Sequence, residues 1–243
     1  MSGMRDAPPL YRFLKRILPP FMNRAFKVHI EGFENLPDRQ PAILAANHLS
    51  FIDSIFLPLN VPRPVYFLGK ADYWDSWRTR WFFTGTGVVP VERSGGDASE
   101  RALNTGIRIL RSGDLLGIYP EGTRSPDGRL YRGKTGPVRM ALTAEVPVVP
   151  VGLIGTDRAM PTGTYVPRLE PVTIRYGRPL DFSRYRDKAD DPFVLRSATD
   201  ELMFELMMLT GQEYVDEYAS NVKSGEVRLD DHGDDSSDLR RAG

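Results

Sequence analysis

The sequence predicts an α/β fold: a single domain built on a mixed, mostly parallel sheet that helices cover, preceded by an N-terminal amphipathic helix. Two observations lead to this prediction. Short apolar runs alternate along the chain with amphipathic stretches of helical period, as they do where strands of a parallel sheet are joined by helices. The chain also has 243 residues, of which 41% are hydrophobic and 26% charged, so it can bury one substantial core.

The first 30 residues differ from the rest of the chain in charge, and a helical pattern lies within them. Apolar side chains recur at helical spacing with basic side chains on the opposite face, the apolar set being Leu10, Phe13, Leu14, Ile17 and Leu18 and the basic set Arg12, Lys15 and Arg16. We expect Pro19 and Pro20 to end this helix, because proline donates no backbone hydrogen bond and clashes with the preceding turn. Residues 1–25 are therefore predicted to form a basic, amphipathic segment.

Residues 26–220 are predicted to form the folded domain. Strands are predicted at the apolar runs 26–30, 42–46, 65–68, 88–91, 115–119, 148–151 and 172–176. Helices are predicted at residues 50–57, 99–110, 135–144 and 192–209, the last with Asp191 as its N-cap and Pro192 in its first turn. Residues 221–243 are polar and lack any period, so we expect a disordered tail.

Composition excludes several functional classes. Lysine and arginine number 32 and aspartate and glutamate also 32, and a net charge of zero argues against a general nucleic-acid binder. There is no cysteine, which excludes disulfides, thiolate metal sites and a cysteine nucleophile, and the three widely separated histidines imply no metal. The most apolar stretch, residues 146–155, carries two prolines and is shorter than the roughly 20 residues that span a bilayer. We therefore expect no membrane-spanning segment.

The first group of residues suited to catalysis is Asn47-His48-Leu49-Ser50-Phe51-Ile52-Asp53, directly after the strand predicted at 42–46. Five positions along a regular helix are a rotation of about 500°, so His48 and Asp53 would not share a helix face. Ser50, however, resembles an N-cap with Asp53 at the third helical position, which leaves His48 outside the helix and able to fold back towards Asp53. The carboxylate could then fix the imidazole tautomer and stabilise the imidazolium. The alternative is that Asp53 only caps a helix and His48 is an ordinary strand-end histidine.

The second group is Pro120-Glu121-Gly122-Thr123-Arg124-Ser125, which follows the strand predicted at 115–119. Gly122 allows close approach of the backbone to a ligand, and Arg124 can hold phosphate oxygens through two hydrogen bonds. Further cations follow other predicted strands or lie in loops: Lys70, Arg93 and Lys134. In an open sheet these strand ends line the ligand crevice, although each cation alone could equally be a solvated loop residue.

Together these residues resemble the glycerolipid acyltransferase family, whose best-known members are the 1-acylglycerol-3-phosphate acyltransferases. Residues 47–53, 87–93, 120–125 and 146–151 match the family's four sequence blocks in order and spacing, and the resemblance runs from about residue 26 to residue 177. One position departs from the family pattern: the residue before Lys134 is usually aromatic, and here it is Gly133.

The resemblance implies that residues 26–220 are an acyltransferase domain, specifically a 1-acylglycerol-3-phosphate O-acyltransferase. Such an enzyme moves a fatty acyl group from acyl-CoA or acyl-ACP to the free hydroxyl of lysophosphatidic acid and makes phosphatidic acid for phospholipid biosynthesis. His48 would be the general base and Asp53 its partner, since an alcohol attacks only after a base takes its proton. A thiol with a pKa near about 8.5 leaves easily, so neither a covalent acyl-enzyme nor a cofactor is implied.

By the same resemblance, the substrate-binding residues are Lys70, Arg93, Glu121, Gly122, Thr123, Arg124 and Lys134. The arginines would hold the acceptor's phosphate, with Lys70 helping, and Glu121 would orient the arginines or the acceptor. The partners implied are membrane lipids and the acyl donor. We expect a peripheral protein on the cytoplasmic face of the membrane, anchored by residues 10–22 and, as a second contact, by the aromatic segment 73–83.

Two alternative functions remain at this stage. The acceptor could be glycerol 3-phosphate or another lysolipid instead of lysophosphatidic acid. The chain could also be a non-catalytic lipid-binding protein on the same fold, although the presence of His48, Asp53 and Glu121 counts against that interpretation.

Overall fold

The computed structural model describes residues 9–70, 88–91 and 98–227. Within these ranges the strands are β1 (His29–Glu31), β2 (Ala42–Ala46), β3 (Val65–Lys70), β4 (Val88–Val91), β5 (Leu115–Ile118), β6 (Leu130–Tyr131), β7 (Val148–Ile154), β8 (Thr173–Tyr176) and β9 (Tyr214–Val215). The α-helices are α1 (Pro9–Ala25), α2 (Asp53–Leu59), α3 (Ala98–Arg111), α4 (Gly136–Ala144), α5 (Thr156–Ala159), α6 (Pro192–Thr210) and α7 (Ala219–Ser224). Two short 3-10 helices cover Phe33–Asn35 and Ser183–Lys188.

Among the described residues, seven strands form one sheet in the order β1-β8-β7-β2-β5-β3-β4, and β6 pairs with β9 in a separate two-stranded ladder. β2 runs parallel to both of its neighbours, β5 and β7, and β3 runs parallel to β4 and β5. Only the β7–β8 pair in the described sheet is antiparallel. The predicted mixed, mostly parallel sheet is therefore confirmed, and the carboxyl ends of β2, β3, β4, β5 and β7 meet at one edge.

Alternate side chains of β2 enter two separate hydrophobic clusters, because successive residues of a strand point to opposite faces of the sheet. Leu44 lies in the cluster that α1 and α2 cover, together with Phe56. Ile43 lies in the cluster that α3, α4 and α6 cover, together with Leu110 and Leu202. All five residues of β2 are buried, so this strand forms the centre of a three-layer domain.

Several predicted element boundaries differ from the observed ones. The strands predicted at 42–46 and 88–91 match β2 and β4, whereas β1 begins at His29 instead of residue 26. The preceding residues close the end of α1: the Phe26 N–H donates to the Met22 carbonyl at 2.9 Å, and Lys27 has a φ of 45°. A chain that finishes a helical turn in this way cannot at the same time be extended.

The N-terminal helix continues through Pro19 and Pro20, so the prediction that these prolines end it is wrong. Contacts on both sides of the pair hold the helical path. The Lys15 ammonium donates to the Arg63 carbonyl at 2.5 Å before the prolines, and Met22 packs on the core after them. Neither α1 nor any other helix of the described ranges is long and apolar enough to span a bilayer.

The predicted disordered tail begins too early. Helix α7 carries regular structure through residue 224, and the Val227 N–H still donates to the Asn221 carbonyl at 3.3 Å. An apolar period is absent from residues 221–227, and polar contacts such as those of Asn221 and Lys223 hold this part of the chain. The predictions for residues 73–83, for Arg93 and for residues 228–243 lie outside the described residues.

Candidate active site

His48 and Asp53 meet at the carboxyl edge of the sheet, where the chain leaves β2 and turns into α2. The His48 Nδ1 atom lies 2.9 Å from Asp53 Oδ2. The same oxygen accepts the backbone N–H groups of Leu49 and Ser50, each at 2.7 Å. The loop after β2 is therefore wrapped around one fully buried carboxylate, which is how two residues five positions apart come into contact.

The predicted capping arrangement is only half correct. Asp53 is the first residue of α2 instead of its third, and Ser50 makes no capping hydrogen bond to the helix. The Ser50 hydroxyl instead donates to the Met160 carbonyl at 2.6 Å. The carboxylate does reach back to the Ser50 N–H, as the acidic residue of a capping box would. The Ser50 hydroxyl therefore donates to a distant carbonyl, whereas the predicted N-cap would have accepted a backbone N–H of the helix.

The backbone of His48 is fixed on both sides by the third sequence block, residues 120–125. Its N–H donates to Glu121 Oε1 at 3.1 Å, and its carbonyl accepts the Ser125 N–H at 2.7 Å. These contacts form because β2 and β5 are adjacent and parallel, so the loops that follow them leave the sheet side by side. The first and third blocks of the family pattern are therefore parts of one site.

Tyr119, the residue after β5, stacks against the His48 imidazole with ring centroids 3.8 Å apart and planes 10° from parallel. Its hydroxyl shares a hydrogen bond of 3.1 Å with the Ser54 hydroxyl. Burial raises the pKa of the Tyr119 phenol well above its ordinary value, so the ring stays neutral. Sequence reasoning did not name Tyr119, and its position directly before Pro120-Glu121 was the only available signal.

These contacts determine what the imidazole can do. The Asp53 carboxylate accepts hydrogen bonds, so the facing Nδ1 of a neutral His48 carries the proton and Nε2 carries the lone pair. The His48 side chain is 15% exposed, against 0% for Asp53, so the imidazole remains accessible from the crevice. The arrangement can take a proton from a bound hydroxyl and stabilise the resulting imidazolium.

Glu121 is turned inward. It is 1% exposed, and its Oε2 accepts the Tyr131 N–H at 3.0 Å while Oε1 accepts the His48 N–H. Burial raises the pKa of Glu121 to about 7 against these two hydrogen bonds, with a smaller raising contribution from the charge of Asp53. The sequence predicted a carboxylate that orients arginines or acceptor, whereas the observed contacts make it a support for the backbone at the imidazole.

The loop of residues Gly122, Thr123 and Arg124 is more open to solvent, and a lysine lies along it. Gly122 has a φ of 74°, and a Cβ atom there would come within 3.1 Å of Lys134 Cε. The Lys134 N–H donates to the Pro120 carbonyl at 2.9 Å, which fixes this approach. The structure therefore brings these four predicted site residues together. Lys70 ends β3 at the same sheet edge, and its side chain, like Arg93, is outside the described residues.

Gly133, the departure from the family pattern, lies under α6. A Cβ atom at this position would approach Met203 Sδ to 2.6 Å and Thr199 Cγ2 to 3.2 Å. Side chains from α6 therefore occupy the space into which a larger residue 133 would project. The buried Met203 side chain fills the space beside residue 133, so a residue without a side chain fits there.

Asn47 and Gln212 also support the site. Asn47 exchanges two hydrogen bonds with the backbone of Leu153 on β7, at 2.9 and 2.7 Å, and donates to Gln212 Oε1 at 2.8 Å. Sequence reasoning quoted Asn47 within the first block without assigning it a role. Nothing in the local pattern distinguished Gln212.

Residues 27–154 match the family model described as Acyltransferase, and because this is more than half of the 243 residues, the chain belongs to that family. The chain is 37% identical over 140 residues to the chloroplastic 1-acyl-sn-glycerol-3-phosphate acyltransferase LPAT1 of Arabidopsis thaliana, covering 57% of this chain and 39% of that protein. It is 28% identical to the 1-acyl-sn-glycerol-3-phosphate acyltransferase of Bacillus subtilis (strain 168), covering 60% of this chain and 72% of that protein.

The fold is similar to the crystal structure of the 1-acyl-sn-glycerophosphate (LPA) acyltransferase PlsC from Thermotoga maritima. The TM-score is 0.61 at 26% sequence identity, and the match covers 90% of this chain and 82% of that one. The chain spans much less of the plant relatives, 39% of the Arabidopsis protein and 58% of the 1-acyl-sn-glycerol-3-phosphate acyltransferase of Limnanthes alba.

Proposed function

We propose that this chain transfers a fatty acyl group from acyl-CoA or acyl-ACP to the free hydroxyl of lysophosphatidic acid, giving phosphatidic acid. The observation that carries the proposal is the 2.9 Å contact between His48 and Asp53 beside the loop that presents Arg124. Family membership and the names of the relatives agree with this reaction.

In the proposed mechanism, His48 Nε2 takes the proton of the acceptor hydroxyl as the hydroxyl oxygen attacks the thioester carbonyl carbon. Asp53 stabilises the imidazolium that forms, through the hydrogen bond at Nδ1. The tetrahedral intermediate then collapses with cleavage of the carbon–sulfur bond, and the departing thiolate receives the proton from His48. The products are the new ester and a free thiol, so no residue of the chain is acylated.

The acceptor's phosphate is proposed to bind at Arg124 and Lys134, with Lys70 and Arg93 as further contributors. Arginine and lysine suit a phosphate because charge-assisted hydrogen bonds to its oxygens are about twice as strong as neutral ones. Arg124 is two residues from Gly122, beside which Lys134 lies. Arg124 therefore lies in the loop that is hydrogen-bonded to the His48 carbonyl through Ser125, and Lys134 lies against the same loop.

The enzyme is proposed to bind the cytoplasmic face of the membrane peripherally through α1. Phe13, Ile17 and Phe21 are 60%, 50% and 70% exposed and stand four residues apart, which aligns them on one side of the helix. An exposed apolar row of this kind on a basic helix suits the boundary between headgroups and acyl chains. Lys15 does not serve this contact, because its ammonium is bonded to the Arg63 carbonyl.

The proposal is tested by incubating the purified chain with acyl-CoA or acyl-ACP and one acceptor at a time: lysophosphatidic acid, glycerol 3-phosphate or monoacylglycerol. Products are identified by mass spectrometry, and His48→Ala serves as the control for uncatalysed transfer. Phosphatidic acid formed by the wild type alone supports the proposal. Faster acylation of glycerol 3-phosphate would change the acceptor, and no thiol release with any acceptor would leave only a lipid-binding role.

A further inference from the structure

The segment that follows α6 lies outside the family-matched residues 27–154, yet it returns to the loop of the proposed phosphate site. Lys223, in the last turn of α7, reaches this loop with its ammonium group. Its Nζ atom donates to Thr123 Oγ1 at 3.1 Å and to the backbone carbonyl of Arg124. A lysine 100 positions away in the sequence thus contacts two residues of the third sequence block.

Several independent contacts hold this segment against the site. β9 pairs with β6, which places Val215 opposite Tyr131, the residue whose N–H binds Glu121. Gln212 donates to the Gly128 carbonyl at 2.6 Å in addition to accepting from Asn47. Closer to α7, the Arg132 N–H donates to the Glu217 carbonyl at 3.0 Å and Ala219 is fully buried, so the backbone that carries Lys223 is held against the site.

The charge of Lys223 is not neutralised by its partners. A lysine ammonium has three donors, and the two acceptors of Lys223 are a hydroxyl and a carbonyl, both uncharged. Within the described ranges it forms no ion pair of 4.0 Å or less with a carboxylate. Glu121 acts on it only through the longer-range field of its carboxylate.

Burial and the nearby charge of Arg124 lower the pKa of Lys223, while Glu121 opposes this shift. The charge of Arg124 thus disfavours the ammonium form of Lys223, and an anion bound beside the two side chains would relieve this repulsion. Lys134, beside Gly122, adds a third cation to the same loop.

We propose that Lys223 is a further substrate-binding residue, which donates its remaining N–H to a phosphate monoester held at the loop of Gly122, Thr123 and Arg124. The inference rests on the proposed function for the identity of the substrate. The phosphate belongs either to the lysophosphatidic acid acceptor or to the 3′-phosphate of coenzyme A, and the test separates these two sources.

The test compares Lys223→Met, which removes the charge, with Lys223→Arg, which retains it, and with the control Lys188→Met, an exposed lysine at the end of the 3-10 helix Ser183–Lys188. We expect Lys223→Met to raise KM about tenfold for one phosphate-bearing substrate, with largely unchanged kcat, and Lys223→Arg to restore most of the loss. Lys188→Met should match the wild type.

The source of the phosphate is read from paired substrates. A KM increase seen with lysophosphatidic acid and absent with monoacylglycerol assigns Lys223 to the acceptor. An increase seen with acyl-CoA and absent with acyl-dephospho-CoA assigns it to the donor. A purely structural role would instead lower kcat with every pair of substrates alike, which overturns the proposal.

Equilibrium binding of sn-glycerol 3-phosphate and of 3′-phosphoadenosine 5′-phosphate to wild type and Lys223→Met does not depend on turnover. Weaker binding of either ligand by Lys223→Met supports the phosphate site even if the wild type makes no phosphatidic acid, in which case only the proposed function fails. If the wild type turns over lysophosphatidic acid and Lys223→Met changes neither the KM values nor ligand binding, the inference fails while the proposed function stands. The inference is also overturned if the wild type binds neither ligand and if its KM does not depend on the phosphate of either substrate.

Discussion

At the scale of single residues, His48 is restrained at its ring, at its Nδ1 atom and at both backbone polar groups. Tyr119 stacks on the ring, Asp53 binds Nδ1, and the loop after β5 binds the N–H and the carbonyl. For the proposed role of a general base, this restraint means that little reorganisation precedes proton transfer, because the rotamer and tautomer of His48 are already set.

His48→Ala should abolish acyl transfer while leaving the protein folded, because it removes the proton acceptor and a single side chain at the edge of the crevice, outside the hydrophobic core. Thiol release and far-ultraviolet circular dichroism measure the two effects separately. If the folded variant retained near-wild-type turnover, the proposed mechanism would be wrong.

Asp53→Asn should lower kcat by orders of magnitude, because it removes the charge that stabilises the imidazolium. The three donors that converge on Oδ2 select the amide oxygen for that position, so the hydrogen bonds persist and only the charge is lost. The amide nitrogen then replaces Oδ1, which is buried without a partner. A small change in kcat would make Asp53 a purely structural residue of the loop.

The raised pKa of Glu121 predicts how the free energy of unfolding depends on pH. Its pKa is about 7 in the folded protein and 4.5 ordinarily, so between these values the folded state holds a proton that the unfolded state releases. The resulting stability is fully present below pH 4.5 and is lost as pH rises through 7. Glu121→Gln cannot titrate at this position. From pH 5 to pH 8, its free energy of unfolding should therefore rise relative to wild type by on the order of 2–3 kcal/mol. Urea unfolding at both pH values measures this change, and parallel pH curves would contradict it.

The sequence could predict the site residues whose chemistry is evident from residue type and spacing, such as His48, Asp53 and Arg124. It could not predict Tyr119, Gln212 or Lys223, because their contacts depend on strand pairing and on a segment about 100 or more residues away. It also assigned Glu121 to the substrate, since a motif does not reveal which way a carboxylate turns.

At the scale of elements, α1 carries the predicted membrane contact. The triple substitution Phe13→Ser, Ile17→Ser and Phe21→Ser should weaken sedimentation with anionic liposomes several-fold, because it removes apolar surface that would enter the interface. The exposed positions of these side chains mean that the fold should persist. Turnover of a short, water-soluble acceptor should be unchanged.

A matched control for α1 is offered by α6, whose Phe193, Phe204 and Met208 are also exposed, by 87%, 54% and 64%. The corresponding triple serine variant should bind liposomes as the wild type does. If this control loses liposome binding while the α1 variant retains it, the membrane contact lies on α6 and not on α1.

Element prediction succeeded where the determinants are local and failed where they are tertiary. α6 begins at Pro192 with Asp191 accepting the Phe193 and Val194 N–H groups, as its sequence indicates. α1 passes two prolines that would stop an isolated helix, because contacts on either side keep its path. α2 begins at Asp53, three residues later than predicted, and the Ser50 hydroxyl contacts a carbonyl 110 residues away instead of capping the helix.

At the scale of the whole molecule, the site depends on the ladder between β2 and β5, which pairs Ala42 with Leu115. Such non-local parallel pairing forms slowly, since the loop must close before any contact stabilises it, whereas helices form from local contacts. After dilution from urea, the helical circular dichroism signal should therefore recover before thiol-releasing activity does. Simultaneous recovery of both signals would show that the ladder is not the slow step.

The position of β2 has a consequence for how the protein is made. Both of its hydrogen-bonding neighbours, β5 and β7, are encoded later in the chain than β2 itself. During translation, the segment Ala42–Ala46 therefore leaves the ribosome with two unpaired edges and with apolar side chains on both faces. Until about residue 150 has been synthesised, the nascent chain exposes a strand suited to intermolecular pairing. A nascent chain of this kind depends on chaperones to prevent such pairing, although the same strand is completely buried once the protein has folded.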